Sequence, residues 1–555
     1  MATQNTSGGG AAKKKRGLFD KFLAGVEWLG NLLPNPVTLF AGFALLVIVV
    51  SAIAAGFGAA VADPRPNAAA GTMIEARSLL TPDGFRFMSE NMVTIFVQFA
   101  PLGTVLVALL GVGVADKAGL LSAAIRALVL SAPKNLVTVV IVFAGILSNA
   151  ASEMGYVVLI PLAMVIFHSL GRHPFAGMAA AFAGVSGGYS ANLVIGTIDP
   201  LLAGITQEAA RLVDPNYSVH AAVNWYFMIG STFLITALGW FVTAKIVEPR
   251  LGKYDVSHAD ESIERNPKLD RLTRIEWKGL IWAGVSIVAL TLLTVAMAGP
   301  RVPWLAWMDF LPGWGVLRNP DETASGANAL RPLLNSVVPL ILVFFFIPGV
   351  IYGWIAGTMK GEGPIIDAMA DAMKSMGLYI VLVFFAAQFV AYFNYSNLGQ
   401  ILAVLGADAL IAMNLDNPAV FAPFILLCAV VNLVVGSASA KWALTAPIFV
   451  PMLMQLGYSP ELTQTAYRIG DSTTNIITPM MSYFGLILAV ATRYDRKLGI
   501  GTMVSTMLPY TITFLIGWTI MFYLWVFVLG WPVGPDAPTL YVPAEAVDAA
   551  AMLTK

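Results

Sequence analysis

Stretches of about 20 apolar residues, the length a helix needs to cross a bilayer, recur from one end of the chain to the other. They fall near 37–58, 91–115, 175–203, 222–246, 276–298, 333–357, 376–395, 463–491 and 500–530, which makes nine crossings. Composition agrees. Of 555 residues 58% are hydrophobic and only 12% charged, with a mean hydropathy of +0.76, against about 25% charge in soluble domains. A soluble chain this long folds as several domains and covers them with charge. Here lipid must be the solvent for most of the surface, which excludes a soluble enzyme, a nucleic-acid binder and a disordered chain. The 32 basic and 32 acidic residues balance, so net charge points to no polyanionic partner. The single cysteine, Cys428, lies in an apolar run. It permits no intramolecular disulfide or four-cysteine metal site, and reads as a small buried hydrophobe.

Two further apolar stretches, 136–168 and 418–457, are broken midway by Ser148-Asn149-Ala150-Ala151-Ser152-Glu153 and by Gly436-Ser437-Ala438-Ser439-Ala440-Lys441-Trp442. Two half-helices entering and leaving on one side fit each, since irregular backbone at membrane depth survives only inside protein or beside a water-filled cavity. The alternative is a pair of short helices joined by a surface loop. With the N-terminus inside and each hairpin returning to its own side, 22 of the 32 Lys/Arg fall on cytoplasmic segments, 8 outside and 2 within the membrane. The positive-inside rule therefore favours a cytoplasmic N-terminus and an extracytoplasmic C-terminus.

The fold class expected is an all-α polytopic membrane protein with nine transmembrane helices plus two re-entrant helical hairpins. Residues 1–33 form a cytoplasmic tail whose 17–33 segment suits an interfacial helix, as do 117–132 and 364–375. Residues 34–247 form a first half, 248–275 a basic cytoplasmic linker, 276–530 a second half and 531–555 an extracytoplasmic tail.

The chain also repeats itself. Hairpin one (136–168) precedes a span (175–203) interrupted at 187–200, and hairpin two (418–457) precedes a span (463–491) interrupted at 470–479. In this topology the hairpins enter from opposite sides, so the units are inverted, the layout of secondary transporters. Broken helices expose amides that attract anions and carbonyls that hold cations. Ser148, Asn149, Asn192 and Asn475 sit at the breaks as candidate cation ligands, their oxygens hard donors suited to sodium; backbone capping is the other reading of each.

Five charges fall at membrane depth, all at or beside the breaks: Glu153, Asp199, Lys441, Arg468 and Asp471. Charge there is costly and points to function. Arg468 and Asp471, three apart, share a helix face and either pair with each other or act on ligands. In the functional reading the Arg468 fork meets a carboxylate, and Asp199 and Asp471 carry cations. Glu153 and Lys441 rank second, since they can equally pair for structure. Trp442 either packs in the interior or stacks an aromatic ligand in a cavity between the breaks. Pro447, Pro451, Pro460 and Pro479 fit breaks and turns.

At these residues the chain resembles the p-aminobenzoyl-glutamate transporter (AbgT) family. The resemblance rests on the two hairpin-tip motifs, on Pro447-Ile448-Phe449-Val450-Pro451-Met452 and on Ala466-Tyr467-Arg468-Ile469-Gly470-Asp471-Ser472 through Thr478-Pro479. It runs from about residue 25 to 530. It implies an inner-membrane homodimer of nine-helix subunits with two hairpins, importing p-aminobenzoyl-glutamate or exporting sulfonamide antimetabolites. It implies functional roles for Asp199, Ser439, Trp442, Pro460, Arg468, Asp471 and Pro479, of which Pro460 is owed to the resemblance alone. By analogy with wider relatives, sodium-coupled dicarboxylate symporters, Asn149 and Asn475 are sodium ligands.

The function expected is a secondary transporter of small aromatic anions, coupled to sodium or protons, with no other cofactor and no nucleic-acid partner. A sodium-coupled dicarboxylate symporter is the alternative. Primary transport lacks its phosphate loop, since Leu251-Gly252-Lys253-Tyr254 fails the pattern. An intramembrane aspartyl protease built on Asp199 and Asp471 has Arg468 where its signature needs glycine, and that guanidinium opposes a shared proton. An open channel fits inverted broken repeats less well than gated access.

Overall fold

The computed structural model describes residues 36–63, 71–151, 155–255, 260, 271–300, 314–321, 326–479, 481, 483–496 and 498–543. Glu153, the 17–33 segment, much of the 248–275 linker and the tail beyond 543 lie outside them.

The first helix, α1, spans Pro36–Gly56 and leads to a short antiparallel pair, β1 (Ala60–Ala62) and β2 (Met73–Glu75), with Val61 opposite Ile74. Then α2 (Pro82–Gln98) and α3 (Ala100–Ala118) form one apolar rod bent at the extended residue Phe99, just before Pro101, where proline denies the helix an amide. The rod begins nine residues earlier than the apolar run at 91 suggests. Thr81 caps it and Pro82 opens it, a pairing favoured at helix starts. Gly119, left-handed at φ 88, ends α3 before α4 (Leu120–Leu130).

The first broken stretch is α5 (Val137–Ser148), a tight turn from Asn149, and α6 (Ile160–Ser169). After it come α7 (Pro174–Phe182), α8 (Ile198–Ala210) and α9 (Trp225–Val242). The second half carries α10 (Arg274–Met297), α11 (Val337–Ala356), α12 (Glu362–Ser375), α13 (Gly377–Tyr395) and α14 (Leu398–Ala412). It closes with α15 (Phe421–Val434), α16 (Ala438–Gln455), α17 (Pro460–Thr474), α18 (Phe484–Tyr494) and α19 (Ile500–Tyr523).

Among the described residues seven helical stretches are long and apolar enough to cross a membrane: 36–56, 82–118, 225–251, 274–297, 337–356, 377–395 and 500–528. They match seven of the nine expected spans. The other two, 175–203 and 463–491, are each divided into two shorter helices, α7 with α8 and α17 with α18.

The breaks are shifted from where polar residues alone put them. Helical backbone continues past α7 as a wide π turn to Gly187, and the irregular stretch is 188–197. α17 runs on to Thr474, so Asp471 is helical and the second break begins at Asn475. Between α15 and α16 only Val435–Ser437 is irregular, because the Ser437 hydroxyl caps α16 by accepting the Ala440 amide at 3.4 Å. Ser439, Lys441 and Trp442 therefore stand on the first turns of a helix. Pro447 and Pro451 lie inside α16 rather than at breaks. α14 was not expected; at 15 residues it is too short to cross, and it packs on α16.

Small residues bring the outer helices together, as lipid-embedded packing requires. A Cβ at Gly111 of α3 would lie 2.3 Å from the Leu342 carbonyl of α11, and one at Gly349 would lie 2.8 Å from Ala115. α10 packs on α11, and with α3 they share a small separate core around Ala115, Ala283 and Tyr352. Almost none of the apolar length of α10 is buried. The main core holds α5–α9 and α15–α19, with α1 and α13 against it.

Candidate transport site

The four breaks converge. Asn149 after α5, Tyr189 and Thr197 between α7 and α8, Gly436 to Ser439 at the start of α16, and Asn475, Met481 and Tyr483 after α17 line one cavity of about 290 Å³. Val105 and Leu109 of α3, with Met376 and Tyr379, complete the wall. Tyr156 and Tyr483 stack face to face at its edge, 4.7 Å between ring centres.

Glycines set this convergence. A Cβ at Gly184 would lie 2.4 Å from the Val142 carbonyl and one at Gly196 3.1 Å from the Asn149 carbonyl, so α5 and its tip ride directly on the first broken helix. In the second half a Cβ at Gly470 would lie 2.4 Å from the Ile425 carbonyl and 2.6 Å from the Cys428 Cβ, which seats α15 on α17. Both halves thus lay the first arm of a broken pair against the helix that follows it. Cys428 is a free, buried packing residue.

Behind the cavity wall lie two buried ion pairs. Asp199, in the first turn of α8, accepts a hydrogen bond from Arg468 Nη2 on one oxygen and the Gly196 amide on the other at 2.7 Å. Lys441 of α16 pairs with Asp471 of α17 and also donates to Asn432 Oδ1. Asn432 Nδ2 in turn reaches Thr474 Oγ1 at 2.8 Å and Asn475 Oδ1 at 2.9 Å. All four charged residues are 1–3% exposed. At such depth a charge is costly, and a pair holds only when further hydrogen bonds satisfy it. Arg468 and Asp471 do not pair with each other; each takes a partner from a different helix. Nor are Asp199 and Asp471 bonded to each other as in a protease dyad; each is paired with its own cation.

Trp442 is fully buried. Its ring stacks on Tyr467 at 4.3 Å and its indole N–H donates to Thr206 Oγ1 at 2.9 Å. Of the candidate cation ligands, Asn149 and Asn475 line the cavity. Ser148 and Asn192 are buried behind it, donating to the carbonyls of Gly145 at 2.6 Å and Ile146 at 3.5 Å. Pro460 opens α17 after its Ser459 cap, away from the cavity, and Pro479 lies in the second break.

The model of the AbgT putative transporter family matches residues 21–541. The chain belongs to this family. The p-aminobenzoyl-glutamate transport protein of Escherichia coli is 36% identical over 93% of this chain and 96% of its own. The antimetabolite efflux pump MtrF of Neisseria gonorrhoeae is similar at 54% identity and a TM-score of 0.83, over 93% of this chain and all of that one. The Alcanivorax borkumensis YdaH transporter is similar at 42% identity and a TM-score of 0.80, over 90% and all. These AbgT relatives are named as transporters and pumps, not enzymes. The chain is a multi-pass membrane transporter.

Sequence reasoning missed part of the AbgT-family interior. All fifteen residues of α17 are buried although the helix is largely polar. Its Gln464 bridges Thr206 and Asn224, and Asn224 also reaches Thr465 Oγ1 at 2.8 Å. Its Glu461 accepts the Tyr217 hydroxyl at 3.0 and 3.1 Å. The signal was the polar run Glu461-Leu462-Thr463-Gln464-Thr465 at the head of an apolar span.

Proposed function

We propose that the chain is a cation-coupled secondary transporter of p-aminobenzoyl-glutamate-like aromatic anions or sulfonamide-type antimetabolites, working by alternating access in the inner membrane. The observation that carries this reading is the convergence of four helix breaks on one cavity backed by two buried ion pairs. Its volume, about 290 Å³, is at the small end of ligand sites, as suits a closed state. In this reading α5–α6 and α15–α16 are re-entrant hairpins beside nine crossings, the subunit is half of a homodimer, and the N-terminus is cytoplasmic and the C-terminus periplasmic.

Arg468 is the anion receptor. While Asp199 holds its guanidinium no carboxylate can, so substrate and Asp199 compete for one fork. A sodium ion or proton that neutralises Asp199 releases Arg468 to the substrate, and Asp471 stands in the same relation to Lys441. Asn149 and Asn475 offer sodium-type oxygens at the cavity wall. Ser439 contacts substrate there, and Trp442 stacks the aromatic ring once its stack with Tyr467 opens. Pro460 and Pro479 fix the ends of the moving helix.

The test is uptake of labelled p-aminobenzoyl-glutamate and of a labelled sulfonamide into proteoliposomes, with sodium and pH gradients imposed separately. Saturable flux driven by one gradient supports the reading. If neither gradient moves either solute, it fails; rapid, unsaturable flux favours a channel.

A further inference from the structure

Asp199 and Asp471 are each cancelled by a buried cation. Glu461 is not. Its residue is 2% exposed, and among the described residues its carboxylate makes no ion pair. Around it stand neutral donors, the Tyr217 hydroxyl and the Ser459 hydroxyl, and one further acid, Asp536 of the C-terminal segment. Among the described residues its own backbone amide also faces the carboxylate, and Asn224 donates to the Glu461 carbonyl at 3.0 Å. The Tyr541 ring lies 5.9 Å from that of Tyr217 and its hydroxyl donates to Asp214 at 3.3 Å, while His220 faces Asp536. The nearby Arg211 is spent on Glu208 and the Tyr217 carbonyl.

Two forces act on this acid in opposite directions. Burial without a counter-charge favours the neutral form. The second position of α17 favours the anion, because the helix start presents unpaired amides and the positive end of its dipole. A carboxyl placed in this way has no paired cation to displace when it takes or loses a proton, whereas each aspartate already holds one.

We propose that Glu461 is a proton-binding site of the transport cycle, distinct from the two ion pairs; this rests on the transporter reading above. The proton comes from water on one side and returns to water on the other, and no covalent bond to carbon changes. As an anion Glu461 accepts the Tyr217 O–H on both oxygens. Once protonated it is itself a donor, so the bond between α17 and the 211–224 segment changes its direction. From that segment Asn224, Gln464 and Thr206 lead to the Trp442 indole. Arg468 lies seven residues along the same helix, two turns or about 10 Å away.

The experiment has two arms on the purified full chain. Infrared titration across about pH 5–9, a range buried glutamates reach, should show a carboxylic-acid C=O band that titrates in the wild type and is lost in Glu461→Gln. In proteoliposomes Glu461→Gln should lose substrate accumulation driven by a pH gradient while exchange of labelled substrate persists. Accumulation at the wild-type level in Glu461→Gln overturns the proposal, as does a wild type with no such band. If the wild type moves no substrate, the transporter reading fails and the infrared arm alone decides Glu461. Should Glu461→Gln not fold, Tyr217→Phe takes its place: removing the donor to the anion should raise the pH at which the band titrates, and an unmoved midpoint overturns the assignment.

Discussion

Arg468 and Asp199, 269 positions apart in sequence, close an ion pair across the two halves of the molecule with both side chains nearly sealed from solvent. One guanidinium nitrogen carries the bond to Asp199, a second reaches Met228 Sδ at 3.3 Å, and among the described residues Nε has no partner. The arginine is therefore held incompletely.

Arg468→Ala should abolish anion transport and lower stability by about 3–5 kcal/mol, because it strands the Asp199 charge. Adding Asp199→Asn should recover most of the stability and none of the transport. Thermal unfolding and uptake on the same three samples separate the effects. Normal transport by Arg468→Ala would make the residue purely structural.

Lys441→Met should likewise cost about 3–5 kcal/mol by leaving Asp471 unpaired, with Asp471→Asn restoring much of it. A double-mutant cycle read by unfolding midpoint checks this. Additive single effects would show that the two charges do not depend on each other.

Trp442→Phe keeps the stack on Tyr467 and loses the bond to Thr206, a change of about 1 kcal/mol, whereas Trp442→Ala should cost about 3–5 kcal/mol. If Trp442 stacks substrate, Phe retains binding in equilibrium titration and Ala loses it. Equal affinity in both variants would remove Trp442 from the site.

Gly470→Ala should destabilise by about 1–3 kcal/mol, since its new methyl meets the Ile425 carbonyl with nowhere to move. Gly485→Ala, where nothing lies within 4 Å, is the matched control. Comparable unfolding midpoints for the two would contradict the close seat of α15 on α17.

His173 caps α7, its Nδ1 accepting the Phe175 amide at 3.2 Å. Burial holds its pKa below the ordinary 6.5, with Asp495 and Glu248 opposing only in part. The unfolded chain therefore binds more protons below about pH 6.5, and stability should fall as pH drops through that value. His173→Asn keeps a capping oxygen without titrating, so its unfolding midpoint should vary less between neutral and mildly acid pH.

Much of this was legible in the sequence because lipid leaves a coarse mark. Apolar runs located the seven long helices, and Asp199, Lys441, Arg468 and Asp471 stood out against them. Their pairing did not. Spacing put Arg468 and Asp471 together, but α17 is buried on every side and each charge faces a different neighbour. The ends of the breaks were misjudged because polar residues were read as irregular, whereas Ser437 caps a helix and the Lys441 and Asp471 charges cancel inside helices. Glu461 escaped notice because it stands at the edge of a span, where an acid reads as surface.

The two buried pairs also have an electrical consequence. A single charge moved through a membrane potential of 100 mV gains or loses about 2.3 kcal/mol. Each buried aspartate is matched by one cation, so rearranging either pair as a unit moves no net charge. Membrane voltage then acts on what enters or leaves the site and on the unmatched carboxylate of Glu461, rather than on the two pairs.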